Sequence, residues 1–232
     1  MVTYNLAHLT QATDQQVVGP IQDDEALLIY AAVKVMLCRR VLEIGGLGGY
    51  SARNFLAAVG SQGAVYTVDL KPVPVQGPNH RVIVKDAGML TEADVDHKPL
   101  DLVFFDCHHL GAQMNLFFRL SKLSLINSST VLVLHDTNLH PQKLSEGERK
   151  VSGGWEHQWV ERQMVDDFRR LGYDAVSFHS ELGRHSPQLP YRHGVTIMRK
   201  HRPLGITGAF RTIRHHATIL LAKYKLRSLP DW

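Results

Sequence analysis

Short apolar runs alternate with longer amphipathic stretches along the chain. Seven runs read as strands: Arg40–Ile44, Ala64–Val68, Arg81–Val84, Leu100–Phe105, Thr130–Leu134, Asp174–Phe178 and Val195–Met198. Several are continuous Val/Leu/Ile/Phe, the composition of strands covered on both faces. Between them, apolar residues recur at helical spacing over Asp23–Leu37, Tyr50–Val59, His109–Leu123 and Trp155–Leu171. Strand–helix alternation predicts an α/β, doubly wound, mostly parallel seven-stranded sheet. The last two strands, joined through the proline-containing Ser180–Tyr191, predict an antiparallel edge hairpin. Pro72, Pro74, Gly77 and Pro78 mark a loop after the second strand, and the polar Gln142–Gly154 reads as a mobile loop after the fifth.

Composition narrows this little. A chain of 232 residues, 44% hydrophobic and 21% charged, suits one domain with a full core. No run approaches the ~18 apolar residues of a membrane span. The N-terminus lacks the basic start and apolar run of a signal peptide. Two cysteines, Cys38 and Cys107, give no disulfide framework and read as buried free thiols; the expected location is cytoplasmic. The formal charge of +4 changes the picture only through its distribution. The segment Arg199–Trp232 holds eight Lys/Arg and one acid, leaving the rest of the chain at −3. The basic character belongs to the tail, and no nucleic-acid partner is expected for the main body.

Candidate chemistry gathers where strands end. Glu43-Ile-Gly45-Gly46-Leu-Gly48-Gly49 follows a strand and opens a helix, so the backbone can turn tightly and approach a ligand. No Lys follows the glycines, which excludes the phosphate-binding P-loop, and the strict dinucleotide spacing is absent. The second strand runs into Asp69, about 20 residues past the glycines, where an acid accepts ribose hydroxyls. That placement suits a nicotinamide dinucleotide as well, and keeps an NAD-dependent oxidoreductase open. The third strand ends in Lys85-Asp86-Ala87-Gly88, where the carboxylate either accepts from an adenine amino group or caps a helix. The fourth ends in Asp106-Cys107-His108-His109 and the fifth in His135-Asp136-Thr137-Asn138. In a doubly wound fold both ends face one crevice. Carboxylates beside an amide oxygen suit Mg2+ or Ca2+. His108, His109, His135 and His140 offer a zinc alternative.

The segment Leu42-Glu-Ile-Gly-Gly-Leu-Gly-Gly-Tyr-Ser-Ala52 resembles the cofactor loop of the catechol O-methyltransferase group in spacing and in its Gly-Tyr-Ser-Ala ending. The Asp-x-x-His and Asp-Thr-Asn segments are similar to those of the macrolide-sugar and cephalosporin-hydroxylase-like methyltransferases. The resemblance spans Gly19 to Met198 and implies a Rossmann-like, class I, S-adenosylmethionine-dependent O-methyltransferase fold. It implies cofactor contacts from Glu43, Gly45, Gly46, Gly48, Tyr50, Ser51, Asp69, Asp86, Ala87 and Asp106. It further implies Mg2+ on Asp106 and Asp136, with Thr137 or Asn138 as third ligand, since the catechol group has Asp-Asn adjacent and this chain does not. The general base would be His109, three residues after Asp106, with His108 as its neighbour. The implied acceptor is a hydroxyl of a small molecule, a sugar or a natural-product scaffold.

The expected organisation is a methyltransferase domain over 1–203 and a basic amphipathic tail over 204–232. In Phe210–Tyr224, Phe210, Ile213, Ala217, Leu220, Leu221 and Tyr224 share one helical face. Such a tail suits a homo-oligomer contact or an anionic membrane surface. A protein that binds or modifies nucleic acid through this tail is the other alternative, and it would show a steep salt dependence.

Overall fold

The structure is a computed structural model. It describes residues 21, 23–107, 110–138, 160–179 and 194–201. The chain divides into a compact unit through Lys200 and a second unit, His201–Trp232, of which only His201 is described. The expected loop over Gln142–Gly154, His140 and the expected tail helix lie outside the described residues.

Seven strands form one sheet: β1 (Arg40–Ile44), β2 (Ala64–Asp69), β3 (His80–Val84), β4 (Leu102–Phe105), β5 (Val131–Leu134), β6 (Tyr173–Phe178) and β7 (Val195–Lys200). Their order is β3-β2-β1-β4-β5-β7-β6. The first five pair in parallel, while β7 runs antiparallel between β5 and β6. Helices α1 (Asp23–Val35), α2 (Tyr50–Val59), α3 (Leu110–Lys122) and α4 (Val160–Arg170) accompany the sheet. Among the described residues, no helix is long and apolar enough to cross a membrane.

Alternation along the central strands explains the two helical layers. Val41, Leu102 and Phe104 turn to one face and pack with Ile29, Tyr30 and Phe55 of α1 and α2. Leu42, Ile44, Val103 and Phe105 turn to the other, with Phe117 of α3 and Phe168 of α4. Residues one apart on a strand serve opposite layers. Each fully buried aromatic or aliphatic side chain contributes about 1.5–3 kcal/mol.

Element types match the sequence reading, and the ends shift for local reasons. The expected strand at Leu100 starts at Leu102, because the Asp101 carboxylate accepts from the amides of Arg39 and Arg40 at 2.8 and 2.9 Å. β5 starts at Val131 because the Thr130 hydroxyl donates to the carbonyl of Leu100 and closes a turn on Asn127. α1 stops at Val35, where Leu37 enters the left-handed region and Cys38 N–H reaches back to Val33. Cys38 is buried, and burial, helped by Asp101, pushes its thiol up to about 12. Cys107 departs from the buried-thiol reading: it is half-buried and lines the pocket described below.

Candidate active site

The order reverses at β1, with β2 on one side and β4 on the other, and crevices in open α/β sheets form at such switch points. A cavity of about 400 Å³ opens there at the carboxyl ends of the parallel strands. Its floor is the glycine turn after β1. Gly45 has φ +93°, and a Cβ there would stand 2.0 Å from the carbonyl oxygen of Asp106. Only glycine lets β1 leave the sheet this close to β4. Gly49, at φ +77°, begins α2. Gly46, Gly48, Tyr50 and Ser51 complete this wall, and Ile21, Leu47 and Leu70 add apolar surface.

Asp69 does two jobs. Its Oδ2 accepts the amides of Gly46 and Leu47, both at 2.9 Å, and its Oδ1 accepts the amide of Lys71 at 3.0 Å. The carboxylate therefore fixes the glycine turn while lining the cavity. Asp86 realises the cap reading, with Oδ1 accepting from Gly88 at 2.6 Å, and also lines the cavity beside Ala87.

Glu43 is placed differently. It is fully buried beneath the turn and is not among the cavity-lining residues. Thr67 Oγ1 lies 2.6 Å from its Oε2 and 2.8 Å from Nε2 of His80, whose Nδ1 is 3.1 Å from the carbonyl of Val75. A hydroxyl has one proton and cannot donate both ways. The chain closes when Glu43 is protonated: its O–H donates to Thr67, Thr67 donates to His80, and His80 Nδ1–H donates to Val75. Burial pushes Glu43 up to about 7, with the Ser51 and Thr67 hydroxyls pulling it back. Burial also lowers the pKa of His80. Both directions favour the neutral chain.

Beyond the cavity, Asp106 leads into a second group. His135, directly after β5 and fully buried, places Nδ1 3.4 Å from Asp106 Oδ1 and 3.3 Å from Asp136 Oδ1. Its Nε2 is 3.2 Å from Oε2 of Glu25 on α1. The other oxygen of Glu25 accepts the amide of Gly194 at 2.9 Å. One ligand atom from each of Asp106, His135 and Asp136 lies within 4.8 Å of the others. Burial opposes a charged ring at His135, but Asp136, Asp106 and Glu25 hold its pKa well above the usual histidine range. Asp136 has φ +56°, in the left-handed region that Asp enters more readily than most residues.

Residues 42–137, which hold Asp69, Asp86, Asp106, His135 and Asp136, match the model of a methyltransferase domain family. The chain carries a methyltransferase domain. No curated protein matches the methyltransferase in sequence. Solved structures share its fold at low identity. An O-methyltransferase from Bacillus cereus in complex with S-adenosylhomocysteine is 16% identical, with TM-score 0.54 over 84% of this chain and 90% of that one. An O-methyltransferase of tomaymycin synthesis from Streptomyces achromogenes, bound to S-adenosylmethionine, is 18% identical, with TM-score 0.55 over 87% and 92%. An S-adenosylhomocysteine-bound methyltransferase from Podospora anserina is 15% identical, with TM-score 0.55 over 84% and 85%.

Within the methyltransferase, nine of the ten residues expected to contact the cofactor line one cavity, Glu43 being the exception. Thr137 is fully buried, and its hydroxyl accepts from Thr196 at 2.8 Å and meets Nε2 of His179 at 3.0 Å. Its backbone carbonyl accepts from Arg162 of α4. Asn138 is buried beside Gly194, where a Cβ on the glycine would come within 2.7 Å of its own. His108 and His109 lie outside the described residues. Glu25 was missed: nothing in a 110-residue separation links it to His135. A buried acid on the apolar face of α1 was the available signal.

Proposed function

We propose that this methyltransferase moves the methyl group of S-adenosylmethionine to a hydroxyl oxygen of a small molecule, a sugar or natural-product scaffold, with a divalent cation as helper. One observation carries the reading. Asp106 belongs to both groups: it lines the cofactor cavity and stands in the Asp106–His135–Asp136 cluster. Methyl donor and activated oxygen must meet within a few ångströms in line, and a shared residue sets that proximity.

The residues fit both partners. Asp69 would hold the ribose hydroxyls and Asp86 the adenine amino group, while Gly45 and Gly46 leave room for the backbone to approach the ligand. Three buried or half-buried acids, Glu25, Asp106 and Asp136, surround one imidazole. That surplus of negative charge in a water-poor site suits a divalent cation, with Mg2+ the sequence expectation. A cation held there lowers the pKa of a hydroxyl that it touches. Asp106 and Asp136 would hold it, and the apolar cavity wall would exclude water from the transfer. His109 would take the acceptor's proton, which neutral imidazole does well near pH 7.

The test uses the protein with S-adenosylmethionine and a panel of sugar and phenolic acceptors. Exhaustive chelation should abolish turnover, Mg2+ or Mn2+ should restore it, and S-adenosylhomocysteine binding by calorimetry should survive. His109→Ala should lower kcat by about 10²–10⁴-fold with unchanged cofactor affinity. Undiminished turnover after chelation would overturn the cation, and methylation at nitrogen or carbon would overturn the acceptor class.

A further inference from the structure

His135 combines features that ordinary packing of a core histidine does not require. A buried imidazole is satisfied by two partners, one per nitrogen. Here one nitrogen faces a buried acid, and the other faces a buried and a half-buried one. Nε2 meets Glu25 Oε2 at 3.2 Å, and Glu25 is itself fixed by the Gly194 amide. With Nε2–H donating to Glu25, the ring orientation is set and Nδ1 is aimed between Asp106 and Asp136. A carboxylate that accepts from the far nitrogen of a histidine is the usual outer support of a metal-bound imidazole. The spacing agrees. Nδ1 is 3.4 and 3.3 Å from the two carboxylate oxygens, and adjacent ligands of a cation with bonds near 2.1–2.2 Å are about 3 Å apart. The Thr137 hydroxyl is taken up by Thr196 and His179.

We propose that Nδ1 of His135 is the third protein ligand of the cation, beside Asp106 and Asp136, and that Glu25 is the positioning residue that orients it. The proposal rests on the cation in the functional reading above and adds an imidazole to its ligand set. It also changes the metal. Mg2+ prefers oxygen throughout, whereas first-row ions accept imidazole readily, so this site prefers Mn2+ or a later first-row ion to Mg2+.

The experiment uses the full chain, stripped of metal and shown by calorimetry to bind S-adenosylhomocysteine, then titrated with Mn2+ and with Mg2+. Mn2+ should bind at least about tenfold more tightly. Pulsed electron paramagnetic resonance of the Mn2+ form should show coupling to an imidazole nitrogen, and His135→Asn should remove it. Glu25→Gln should weaken Mn2+ by about 10–100-fold and leave S-adenosylhomocysteine affinity in place. Mn2+ bound with no nitrogen coupling, or with coupling that persists in His135→Asn, overturns the ligand assignment while the cation reading stands. If a protein that binds S-adenosylhomocysteine takes up neither metal, both fall. If His135→Asn does not fold, a wild-type spectrum without nitrogen coupling still overturns the assignment, and so does coupling that disappears in the His108→Ala/His109→Ala double variant.

Discussion

Asp69 already accepts three backbone amides, from Gly46, Leu47 and Lys71, before any ligand arrives. An ionised carboxylate has about four acceptor positions, so ribose hydroxyls held there would share oxygens with the turn. The two roles separate by substitution. Asp69→Ala removes both, and should lower the melting temperature as well as cofactor affinity. Asp69→Asn keeps one oxygen for the Gly46 and Leu47 amides but loses a charged acceptor. It should leave the fold nearly intact and weaken S-adenosylhomocysteine by about 1.5–3 kcal/mol per lost bond, a factor of roughly ten or more. Calorimetry on the Asn variant checks this, and unchanged affinity would remove the ribose from Asp69. At this scale the sequence was informative where a residue follows a strand directly. Asp69, Asp86, Asp106 and Asp136 were legible because strand ends are read from apolar runs. Glu25 was not, because its partners His135 and Gly194 come to it only through the fold.

Whole elements were more legible than their ends. Unbroken runs such as Leu102–Phe105 and Val131–Leu134 can hardly be anything but strands covered on both faces. Their starts depend on side-chain hydrogen bonds from Asp101 and Thr130 that no periodicity reports. The short 3-10 turns at Ala87–Met89 and Glu92–Val95 were missed for the same reason, being made by Asp86 and by a Thr91–Asp94 capping pair. The insertion of β7 between β5 and β6 was read only as a hairpin, since strand order is set by three-dimensional closure. β1 and β4 supply the prediction at this scale. Gly45→Ala drives a Cβ into the Asp106 carbonyl and imposes a left-handed conformation on alanine. Strain and backbone clash together should cost roughly 3 kcal/mol or more. Thermal denaturation should show a drop of several degrees at least, with loss of cofactor binding. A variant as stable as wild type would mean that the two strand ends separate freely.

The neutral chain beneath the turn sets how the whole molecule responds to pH. Glu43 titrates near 7 folded, against 4.5 as an ordinary carboxyl. Below about pH 4.5 both states are protonated and the group is silent. Between there and about 7 the folded state keeps the proton and the unfolded state has lost it, so stability falls as pH rises. Above about 7 the full cost is present, on the order of 3 kcal/mol. Glu43→Gln mimics the protonated acid, its amide N–H donating to Thr67 in place of the carboxyl O–H. Denaturant unfolding at about pH 5 and about pH 8 should show the variant gaining on wild type at the higher value. A difference that stays constant across that window would mean Glu43 is buried ionised.

The bond from Gly194 to Glu25 spans 169 residues. Its consequence concerns the order in which the molecule comes into being during synthesis. The turn after β1, Asp69 and Asp86 lie within a short stretch of chain, so the nucleoside side can assemble early at small loop-closure cost. The acid beside His135 meets its backbone partner only once Gly194 has been made, across a far longer closure. A nascent chain stalled before residue 194 would carry a pocket for the methyl donor with its reactive half unfinished.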